Sequence, residues 1–443
     1  MKSSTVAEQK IDAYSQLKQK ISSKTVAVGV IGLGYVGLPF LVEKAKVGLD
    51  VIGFDRNQQR VDQLLNKQSY IDDISEDDLA GIFTSAQVDM TTDVSRLSEP
   101  DVLVICVPTP LDKNHCPDLQ YVVAVCEQIQ QTLRPGQLIS LESTTYPGTT
   151  EEVIKPILEK SGLRAGEDFF LAHSPERVDP GNARYTTKNT NKVVGADDDK
   201  SLELASTFYQ LAINHVVSVS SSKSAELVKV YENTFRAVNI ALANQMALLC
   251  HKMDIDVWEM LDAAFTKPFG IMPFYPGPGV GGHCIPIDPH YLEWKAKEYG
   301  FNTRLINLAG EINRSMPVFV VDRVQQLLNK KKKALNGAKL LIIGVTYKAN
   351  LADVRESPAL DVMTLLQAAG AELSYHDAYV EQVAVDDITH YSQALTEARI
   401  AKQDCVLILA KHKDVDYDLI TQYAKQIFDT RNVFEKNSHV EKL

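Results

Sequence analysis

A cysteine and an aspartate stand just after a glycine-rich stretch of the chain. Cys284 follows Pro276–His283, a segment with four glycines, and Asp288 lies four residues further on. That spacing is one helical turn if a helix begins here. Glycines let the main chain come close to a ligand, so Cys284 could act as a nucleophile. Most cysteines are small buried hydrophobic residues, and this alternative stays open on the residues alone.

A lysine and an asparagine are spaced to share one face of a helix. Lys229 and Asn233 are four residues apart, and residues at that spacing are neighbours on a helix surface. The surrounding sequence is apolar, which favours a buried, functional lysine more than usual. The alternative is an exposed lysine with an asparagine beside it.

A third group of residues has the spacing of a dinucleotide-binding turn. Gly32, Gly34 and Gly37 form G-x-G-x-x-G directly after a predicted strand, and Asp55 ends the next predicted strand, 18 residues after Gly37. Such glycines allow a tight turn, close approach of a pyrophosphate and helix packing, and the helix N-terminus supplies free N–H groups. A purely structural glycine turn is the alternative. Asp55 would repel a 2′-phosphate and so favours NAD, whereas the adjacent Arg56 leaves NADP open.

Two further segments carry polar side chains just after predicted strands. Ser174–Arg177 follows one strand and Ser143–Thr145 follows another. Ligands of open α/β sheets bind at the carboxyl ends of the strands, so both segments could face the same crevice. Helix capping by serine or threonine is the ordinary alternative.

Composition and charge exclude several classes of protein. The chain has 443 residues, six cysteines and a net charge of −11. We therefore expect two or three domains, no disulfide framework and no binding to nucleic acid or to an anionic membrane. The uncharged segment Val26–Val42 approaches the length of a membrane span, but the dinucleotide turn accounts for its glycines. We expect a soluble, cytoplasmic protein with no bound metal, since no cysteine or histidine group has metal-ligand spacing.

These residues lie on a predicted α/β framework. Apolar runs of strand length alternate with helical patterns up to about residue 220, which predicts a doubly wound parallel sheet with helices on both faces. The runs are Val26–Ile31, Val51–Phe54, Val102–Val107, Leu138–Leu141 and Phe169–Ala172. Between Ser222 and Thr266 the pattern instead predicts a long, heavily buried helix. Strands return after Ala338 and predict a second, smaller doubly wound unit without the glycine spacing, at Leu340–Gly344, Leu373–Tyr375, Val406–Leu409 and Gln426–Asp429.

Together these motifs resemble those of the UDP-glucose/GDP-mannose dehydrogenase family, in the family's order from about residue 25 to residue 430. The segments that carry the resemblance are the glycine turn with Asp55, Val107–Pro110, Glu142–Thr145, Ser174–Glu176, the set Glu226, Lys229 and Asn233, Gly281–Cys284 with Asp288, and Gly344–Lys348 with Arg355–Ser357. The sequences around Cys284 and over Ser174–Asn182 are similar to the branch that acts on UDP-N-acetylhexosamines, UDP-N-acetylglucosamine above all.

The resemblance implies two Rossmann-like doubly wound domains joined by a long central helix and a helical middle domain. It implies an NAD-binding domain at 25–220, a central helical domain used in dimerisation at 221–325, and a C-terminal UDP-sugar-binding domain at 326–443. Residues 1–24 are polar, and their own pattern predicts a helical N-terminal extension. The implied partners are NAD, a UDP-sugar and a second copy of the chain.

The implied reaction is a four-electron oxidation of a sugar C6 alcohol to a carboxylate with two molecules of NAD, for the synthesis of cell-surface polysaccharide precursors. Cys284 would add to the C6 aldehyde and hold that carbon as a thiohemiacetal and then as a thioester, which water cleaves. Lys229 and Asn233 would stabilise the oxyanion, and Asp288 would assist proton transfer.

Further binding roles follow from the resemblance. Glu176 and Thr144 would position water and substrate during hydrolysis. The residues implied to hold the cofactor are Gly32, Gly34, Tyr35, Val36, Gly37, Asp55, Arg56, Pro108, Thr109 and Thr144. Those implied to hold the sugar nucleotide are Glu176, Arg177, Val178, Lys229, Asn233, Phe274, Tyr275, Gly281, Lys348 and Arg355.

The chain departs from the glucose-type pattern of this family at two positions. Pro180 stands where that pattern has a second glutamate, and Pro268, beside Lys267, stands where it has an arginine. UDP-glucose and the mannosamine and galactosamine epimers are the alternative substrates. Two other classes of protein stay open as alternatives. A non-catalytic dinucleotide sensor would need no Cys284. A two-electron 3-hydroxyacid-type dehydrogenase would need no second nucleotide domain.

Overall fold

The computed structural model describes residues 12–71, 74–114, 116–178, 182 and 184–443. The chain divides into two compact units, one that ends at Tyr231 and one that runs from Glu232 to Leu443. Pro180 and the first eleven residues of the predicted N-terminal extension lie outside the described residues.

The first unit is built on one sheet of eight strands among the described residues. The strands are β1 (Val28–Ile31), β2 (Val51–Phe54), β3 (Val88–Thr91), β4 (Val102–Ile105), β5 (Leu138–Leu141), β6 (Phe170–His173), β7 (Lys192–Gly195) and β8 (Val216–Val219). They lie in the order β3-β2-β1-β4-β5-β6-β7-β8, and all neighbours are parallel except β6 and β7. The five strands predicted here are confirmed to within two residues, whereas the sequence patterns do not predict β3, β7 or β8.

Both faces of this sheet are covered, as the alternating pattern predicts. Along β4, Val102 and Val104 pack into one hydrophobic core, while Leu103 and Ile105 pack into another. Successive residues of a strand point to opposite faces, so a strand covered on both sides is apolar throughout. The described helices are α1 (Ala13–Ser22), α2 (Gly37–Lys46), α3 (Gln58–Leu65), α4 (Glu76–Ser85), α5 (Gln120–Thr132), α6 (Lys155–Glu159) and α7 (Asp199–Gln210), with a 3₁₀ turn at Val94–Ser98 and a π-helical turn at Thr150–Ile154.

Helix α1 is the described part of the predicted N-terminal extension. Its Leu17 and Ile21 are buried in the same core as Val102. Tyr14 packs edge-on against Phe170, with 6.2 Å between the ring centroids. The helix therefore contributes to the core of the first unit.

The long helix α8 (Ser222–Met253) begins in the first unit and continues into the second. The helices that follow are α9 (Val257–Phe265), α10 (Asp288–Glu298), α11 (Arg304–Lys330), α12 (Pro358–Ala368), α13 (Glu397–Lys402) and α14 (Tyr417–Tyr423). The strands of the second unit are β9 (Lys339–Ile343), β10 (Glu372–His376), β11 (Gln382–Val385), β12 (Ile388–Tyr391), β13 (Cys405–Ile408), β14 (Ile427–Asp429) and β15 (Val440–Lys442). A parallel sheet has the order β10-β9-β13-β14-β15, and β11 and β12 form an antiparallel pair. Within the described ranges, no helix is both long and apolar enough to cross a membrane.

Helix α8 differs from its prediction in its burial. Ala225 and Val230 are buried, but Leu227, Tyr231 and Leu242 are 42%, 63% and 57% exposed. The expectation of a heavily buried helix is therefore wrong for these positions in the single chain. Hydrophobic periodicity reports where apolar residues lie on a helix and not what covers them.

Candidate active site

The glycine turn after β1 leaves room for a ligand at one position. Gly32 has a φ of +91°, a conformation that favours glycine, and a Cβ on Gly37 would lie 1.9 Å from the Gly32 carbonyl oxygen. A Cβ on Gly34 would meet no atom within 4 Å. Gly32 and Gly37 therefore serve the turn and the packing of α2, while the open side of Gly34 is the space that a pyrophosphate would fill.

Asp55 follows β2 and binds this same turn. One carboxylate oxygen accepts the Leu33 N–H at 3.0 Å, and the other accepts the Asn57 N–H at 2.9 Å. An ionised carboxylate has about four acceptor positions, so it can still accept from the ribose hydroxyls of NAD. The neighbouring Arg56 places its guanidinium over the ring of Tyr121, at 5.1 Å from the centroid.

The other predicted cofactor residues lie on the loops that follow β1, β4 and β5. Tyr35 and Pro108 are exposed, and Val36 directly precedes α2. The Thr109 hydroxyl donates to the Thr144 carbonyl oxygen at 2.7 Å, which joins the loops after β4 and β5. The strand order reverses between β1 and β4, and dinucleotides bind open α/β sheets at such a point. The residues present therefore fit NAD.

Glu176 follows β6, and both of its carboxylate oxygens are engaged. One oxygen accepts the N–H groups of Arg177 and Val178, each at 2.7 Å. The other lies 3.3 Å from Lys192 Nζ. Burial raises the pKa of Glu176, but the Lys192 ammonium and the backbone N–H groups outweigh it and hold that pKa below its usual value. The Arg177 guanidinium donates to the Asn191 carbonyl oxygen at 2.6 Å.

Lys192, the first residue of β7, contacts the predicted site residue Glu176 and was not itself predicted from the sequence. The residue is 4% exposed, and its Nζ lies 2.8 Å from Glu142 as well as 3.3 Å from Glu176. The Tyr209 hydroxyl donates to the second oxygen of Glu142 at 2.8 Å. Burial lowers the pKa of Lys192, but the two carboxylates outweigh it and raise that pKa. The one signal in the sequence is a lysine at the head of the otherwise uncharged run Lys192–Gly195.

Glu226, on helix α8, is hydrogen-bonded to the loop after β5. Its carboxylate accepts the N–H groups of Gly148 and Thr150 at 2.5 and 2.8 Å, and the Thr150 hydroxyl at 2.6 Å. The side chain is buried, and burial raises its pKa to about 7. Lys229 lies one turn further along α8, and its positive charge also lowers the pKa of Glu176.

In the second unit, Asn233 and Asp288 are joined by a direct hydrogen bond. Asn233 Nδ2 donates to Asp288 Oδ2 at 2.5 Å, and both residues are buried. The Asp288 N–H donates to the Cys284 carbonyl oxygen at 2.9 Å, and α10 begins at Asp288. The predicted helical turn between Cys284 and Asp288 is therefore confirmed. Cys284 itself is exposed.

The glycines before Cys284 serve close packing in the second unit. A Cβ on Gly281 would lie 2.6 Å from both the Glu356 carbonyl oxygen and Tyr347 Cβ. Gly282 has a φ of +85°, and its N–H donates to the Arg355 carbonyl oxygen at 3.1 Å. These two glycines let the loop pack closely on residues 347–356, and approach of this loop to a ligand stays a prediction.

Two predicted aromatic residues pack on helices of the second unit. Tyr275 stacks on Trp258 at 5.8 Å and donates its hydroxyl to Asp262 at 2.7 Å. Phe274 meets Phe235 edge-on at 5.9 Å. Tyr275 is thus fixed at both its ring and its hydroxyl.

The predicted cations of the second unit lie on the loop after β9. The Arg355 side chain is exposed and binds Asp353 through two nitrogens, the shorter contact being 2.6 Å. Lys348 is partly buried, and its carbonyl oxygen accepts the Thr346 hydroxyl at 2.9 Å. In the part of the chain that the structure describes, no group of three or more histidine, cysteine, aspartate or glutamate side chains could hold a metal ion.

Three family models match the chain. All describe the UDP-glucose/GDP-mannose dehydrogenase family: its NAD binding domain matches residues 26–213, its central domain residues 223–315 and its UDP binding domain residues 341–436. Most of the chain is covered.

Similar proteins span nearly the same length. A UDP-N-acetyl-D-glucosamine 6-dehydrogenase from Pseudomonas aeruginosa is 38% identical over 369 residues, which cover 83% of this chain and 85% of the relative. A UDP-N-acetyl-D-mannosamine dehydrogenase from Methanocaldococcus jannaschii is 37% identical over 422 residues, which cover 92% of each. The structure of a UDP-D-ManNAc dehydrogenase from Pyrococcus horikoshii matches with a TM-score of 0.86 at 32% identity, and covers 94% of this chain and 98% of that one.

Proposed function

The chain belongs to the UDP-glucose/GDP-mannose dehydrogenase family and is an NAD-dependent UDP-sugar dehydrogenase, and we propose that its substrate is a UDP-N-acetylhexosamine, with UDP-N-acetylglucosamine ahead of its epimers. The C6 alcohol would be oxidised to a uronate, in the cytoplasm, as a precursor of cell-surface polysaccharide. The substrates of the two similar dehydrogenases, UDP-N-acetyl-D-glucosamine and UDP-N-acetyl-D-mannosamine, support an acetamido sugar.

The observation that carries the chemistry is the Asn233–Asp288 hydrogen bond one helical turn from Cys284. In the proposed reaction the C6 alcohol first loses a hydride and its hydroxyl proton, which gives the C6 aldehyde. The Cys284 sulfur then adds to that carbon, the carbonyl oxygen becomes an oxyanion, and the thiol proton passes to Asp288, directly or through water. Loss of a hydride from C6 then gives a thioester. Water attacks that carbon and expels the thiolate. One water proton returns to the sulfur and the other passes to solvent, which leaves the carboxylate. NAD, when bound at the glycine turn, accepts one hydride in each of the two oxidations.

The remaining polar residues would act on charges that develop at C6. Lys229 and Asn233 lie one turn apart on α8, and we assign both to the oxyanion of the tetrahedral intermediates. Glu176, held ionised by its surroundings, would orient the hydrolytic water together with Thr144.

The acetamido assignment rests on one feature near the nucleophile and on the named relatives. Ile287, directly before Asp288, is apolar and partly buried. An apolar side chain offers contact to an acetyl methyl group. Pocket contacts of this size discriminate by about 10–200-fold.

A panel of UDP- and GDP-sugars tested for NAD reduction checks the substrate assignment. We expect kcat/KM for UDP-N-acetylglucosamine to exceed that for UDP-glucose by at least about tenfold. Equal or better oxidation of UDP-glucose would overturn the acetamido assignment and leave the chemistry intact. A clear preference for the mannosamine or galactosamine epimer would change the proposed sugar and leave the acetamido assignment intact.

The exposed apolar stripe of α8 supports a homodimer as the working form. Leu227, Tyr231 and Phe235 recur every four residues and so lie on one helix face, and they are 42%, 63% and 38% exposed. A row of large exposed apolar residues is characteristic of a protein interface. We assign this face to contact with a second copy of the chain.

A further inference from the structure

We propose that Lys192 is a positioning residue, which fixes the carboxylate of Glu176 and keeps it charged for the attack of water on the thioester. This inference rests on the proposed function, because the role of Glu176 in hydrolysis belongs to it. Lys192 itself is assigned no contact with the substrate or the cofactor.

The contacts of Glu176 leave its carboxylate little freedom to rotate. Oε1 is held by the N–H groups of Arg177 and Val178, and Oε2 is held by Lys192 Nζ. The backbone bonds alone would fix one oxygen. Lys192 fixes the other, and it extends from the neighbouring strand β7, whose side chains are buried.

The lysine is held in turn by a second carboxylate. Glu142 is fully buried at the end of β5 and accepts from Lys192 at 2.8 Å and from the Tyr209 hydroxyl at 2.8 Å. Tyr209 also shares a hydrogen bond with Ser140 at 2.8 Å. Because these partners are themselves buried, Lys192 cannot turn away from Glu176 without leaving Glu142.

The other titratable groups around this cluster do not replace the lysine. Burial holds the Cys106 thiol and the His173 ring in their neutral forms, since it raises the pKa of Cys106 and lowers that of His173 to about 3. Lys44 donates to the Phe208 carbonyl oxygen at 2.9 Å, and burial lowers its pKa to about 7. Lys229 acts on Glu176 through its charge.

Removal of the cation and removal of the second carboxylate therefore have different consequences. In Lys192→Met, Glu176 loses an opposite charge at 3.3 Å, and loss of such a charge raises a carboxyl pKa by about 1–3 units. In Glu142→Gln, the lysine still faces Glu176, and the amide can still accept from Lys192 and donate to Tyr209. Both variants disturb the same buried cluster, but only Lys192→Met removes the positive charge that lies beside the Glu176 carboxylate.

Two measurements test this inference. The first is the pH dependence of kcat with UDP-N-acetylglucosamine: we expect the acidic limb to move upward by about one unit or more in Lys192→Met. In Glu142→Gln the midpoint pH of the acidic limb should be the same as in the unmodified protein or lower. In Lys192→Arg this midpoint should stay close to that of the unmodified protein. If the limb moves upward equally in Lys192→Met and Glu142→Gln, the cluster is merely structural and the inference is overturned.

The second measurement does not depend on activity. The Glu176 carboxyl carbon is titrated by ¹³C NMR in the full chain, with its resonance assigned by its loss in Glu176→Gln. A Glu176 pKa that rises in Lys192→Met but not in Glu142→Gln supports the positioning role, even if no UDP-sugar is turned over and the proposed function fails. An unchanged Glu176 titration in Lys192→Met overturns it, even if the unmodified enzyme is fully active. Should Lys192→Met not fold, the titration of Lys192→Gln decides in its place.

Discussion

Asp55 and Asp377 make the same two backbone hydrogen bonds in two separate sheets. Each accepts the N–H that follows the first glycine of a turn and the N–H two residues beyond itself. The bonds run from Leu33 and Asn57 to Asp55 at 3.0 and 2.9 Å, and from Val345 and Tyr379 to Asp377, both at 2.8 Å. Each aspartate follows the second strand of a parallel pair, β1–β2 or β9–β10. The acid thus stabilises the turn, whatever else it binds.

This likeness provides a matched pair of variants for cofactor choice. Asp55→Ala should lower the preference for NAD over NADP, because the carboxylate that repels a 2′-phosphate is gone. Asp377→Ala loses the same two bonds in the other sheet, together with the contact between Asp377 and His412 Nε2 at 3.1 Å, and should leave the NAD/NADP ratio of kcat/KM unchanged. Both should lose about 1–3 kcal/mol of unfolding free energy, since buried N–H groups lose their acceptor. Equal use of both cofactors by the unmodified protein would contradict the role given to Asp55.

Cys284→Ala should abolish formation of the uronate while binding of the UDP-sugar survives. The thiol is needed only for the covalent steps, and Asp288 and Asn233 keep their hydrogen bond without it. Product analysis by mass spectrometry and binding by calorimetry check the two halves of this prediction. Cys284→Ser is the companion variant and should accumulate a slow ester, because an alkoxide is a poorer leaving group than a thiolate. Full uronate production by the alanine variant would exclude the covalent mechanism.

The stoichiometry of cofactor reduction separates a four-electron from a two-electron enzyme. If the aldehyde is trapped on Cys284 and oxidised again, exhaustive conversion of limiting sugar should yield about two NADH per sugar. Absorbance at the NADH band, set against the sugar added, gives the ratio. A ratio near one, with a free aldehyde or ketone as product, would favour the 3-hydroxyacid type of reaction.

Glu226 makes a signed prediction about pH. Its pKa is raised by burial from 4.5 to about 7, so between these values the folded state holds a proton that the unfolded state has lost. The stability that this group contributes is complete below about pH 4.5 and is lost as the pH rises through about 7. Between pH 5 and 8 the unmodified protein should therefore lose about 3 kcal/mol more unfolding free energy than Glu226→Gln. Urea unfolding of both proteins at pH 5 and at pH 8 measures this difference. An equal change in unfolding free energy between the two pH values in both proteins would contradict the prediction.

The apolar face of α8 predicts the oligomeric state. Leu242 falls on the same face of α8 as Tyr231 and Phe235, since a helix has 3.6 residues per turn. It is 57% exposed in the single chain, so an added charge there costs little within one copy but much in an interface. Leu242→Asp should shift the mass measured by light scattering from twice the chain mass of 49.1 kDa toward that mass. Gln131→Asp, at an exposed position of α5, is the control and should leave the mass unchanged. A monomeric unmodified protein would refute the dimer.

The glycine turn shows how far local sequence reaches. Gly32 needs a positive φ, Gly37 has no room for a Cβ, and Asp55 returns to the turn at a fixed distance along the chain. These three features all lie within one strand–helix–strand unit, so the spacing of the residues along the chain is enough to predict them. The helical turn from Cys284 to Asp288 is confirmed for the same reason.

Lys192 and the exposed face of α8 are two features that local sequence does not predict. Lys192 is separated from Glu142 by 50 residues, and nothing in its neighbours shows that β7 runs antiparallel to β6 and brings it beside Glu176. The stripe that holds Leu227 and Tyr231 has the same hydrophobic period whether a core or another chain covers it. Likewise, the role of Gly281 and Gly282 depends on Tyr347 and Glu356, which lie far along the chain.

The sequence by itself determined the family and the NAD turn, and it predicted Cys284 as the candidate nucleophile with Asp288 beside it, because each is a short pattern whose spacing is set by a single turn or helix. Tertiary structure alone decided which charges meet. Lys192 lies on β7, and it meets Glu142 and Glu176, which follow the strands β5 and β6 of the same sheet. Asn233 meets Asp288 from another helix. Electrostatic interactions depend on distance in space rather than along the chain, so the protonation state of Glu176 was set only when the sheet assembled.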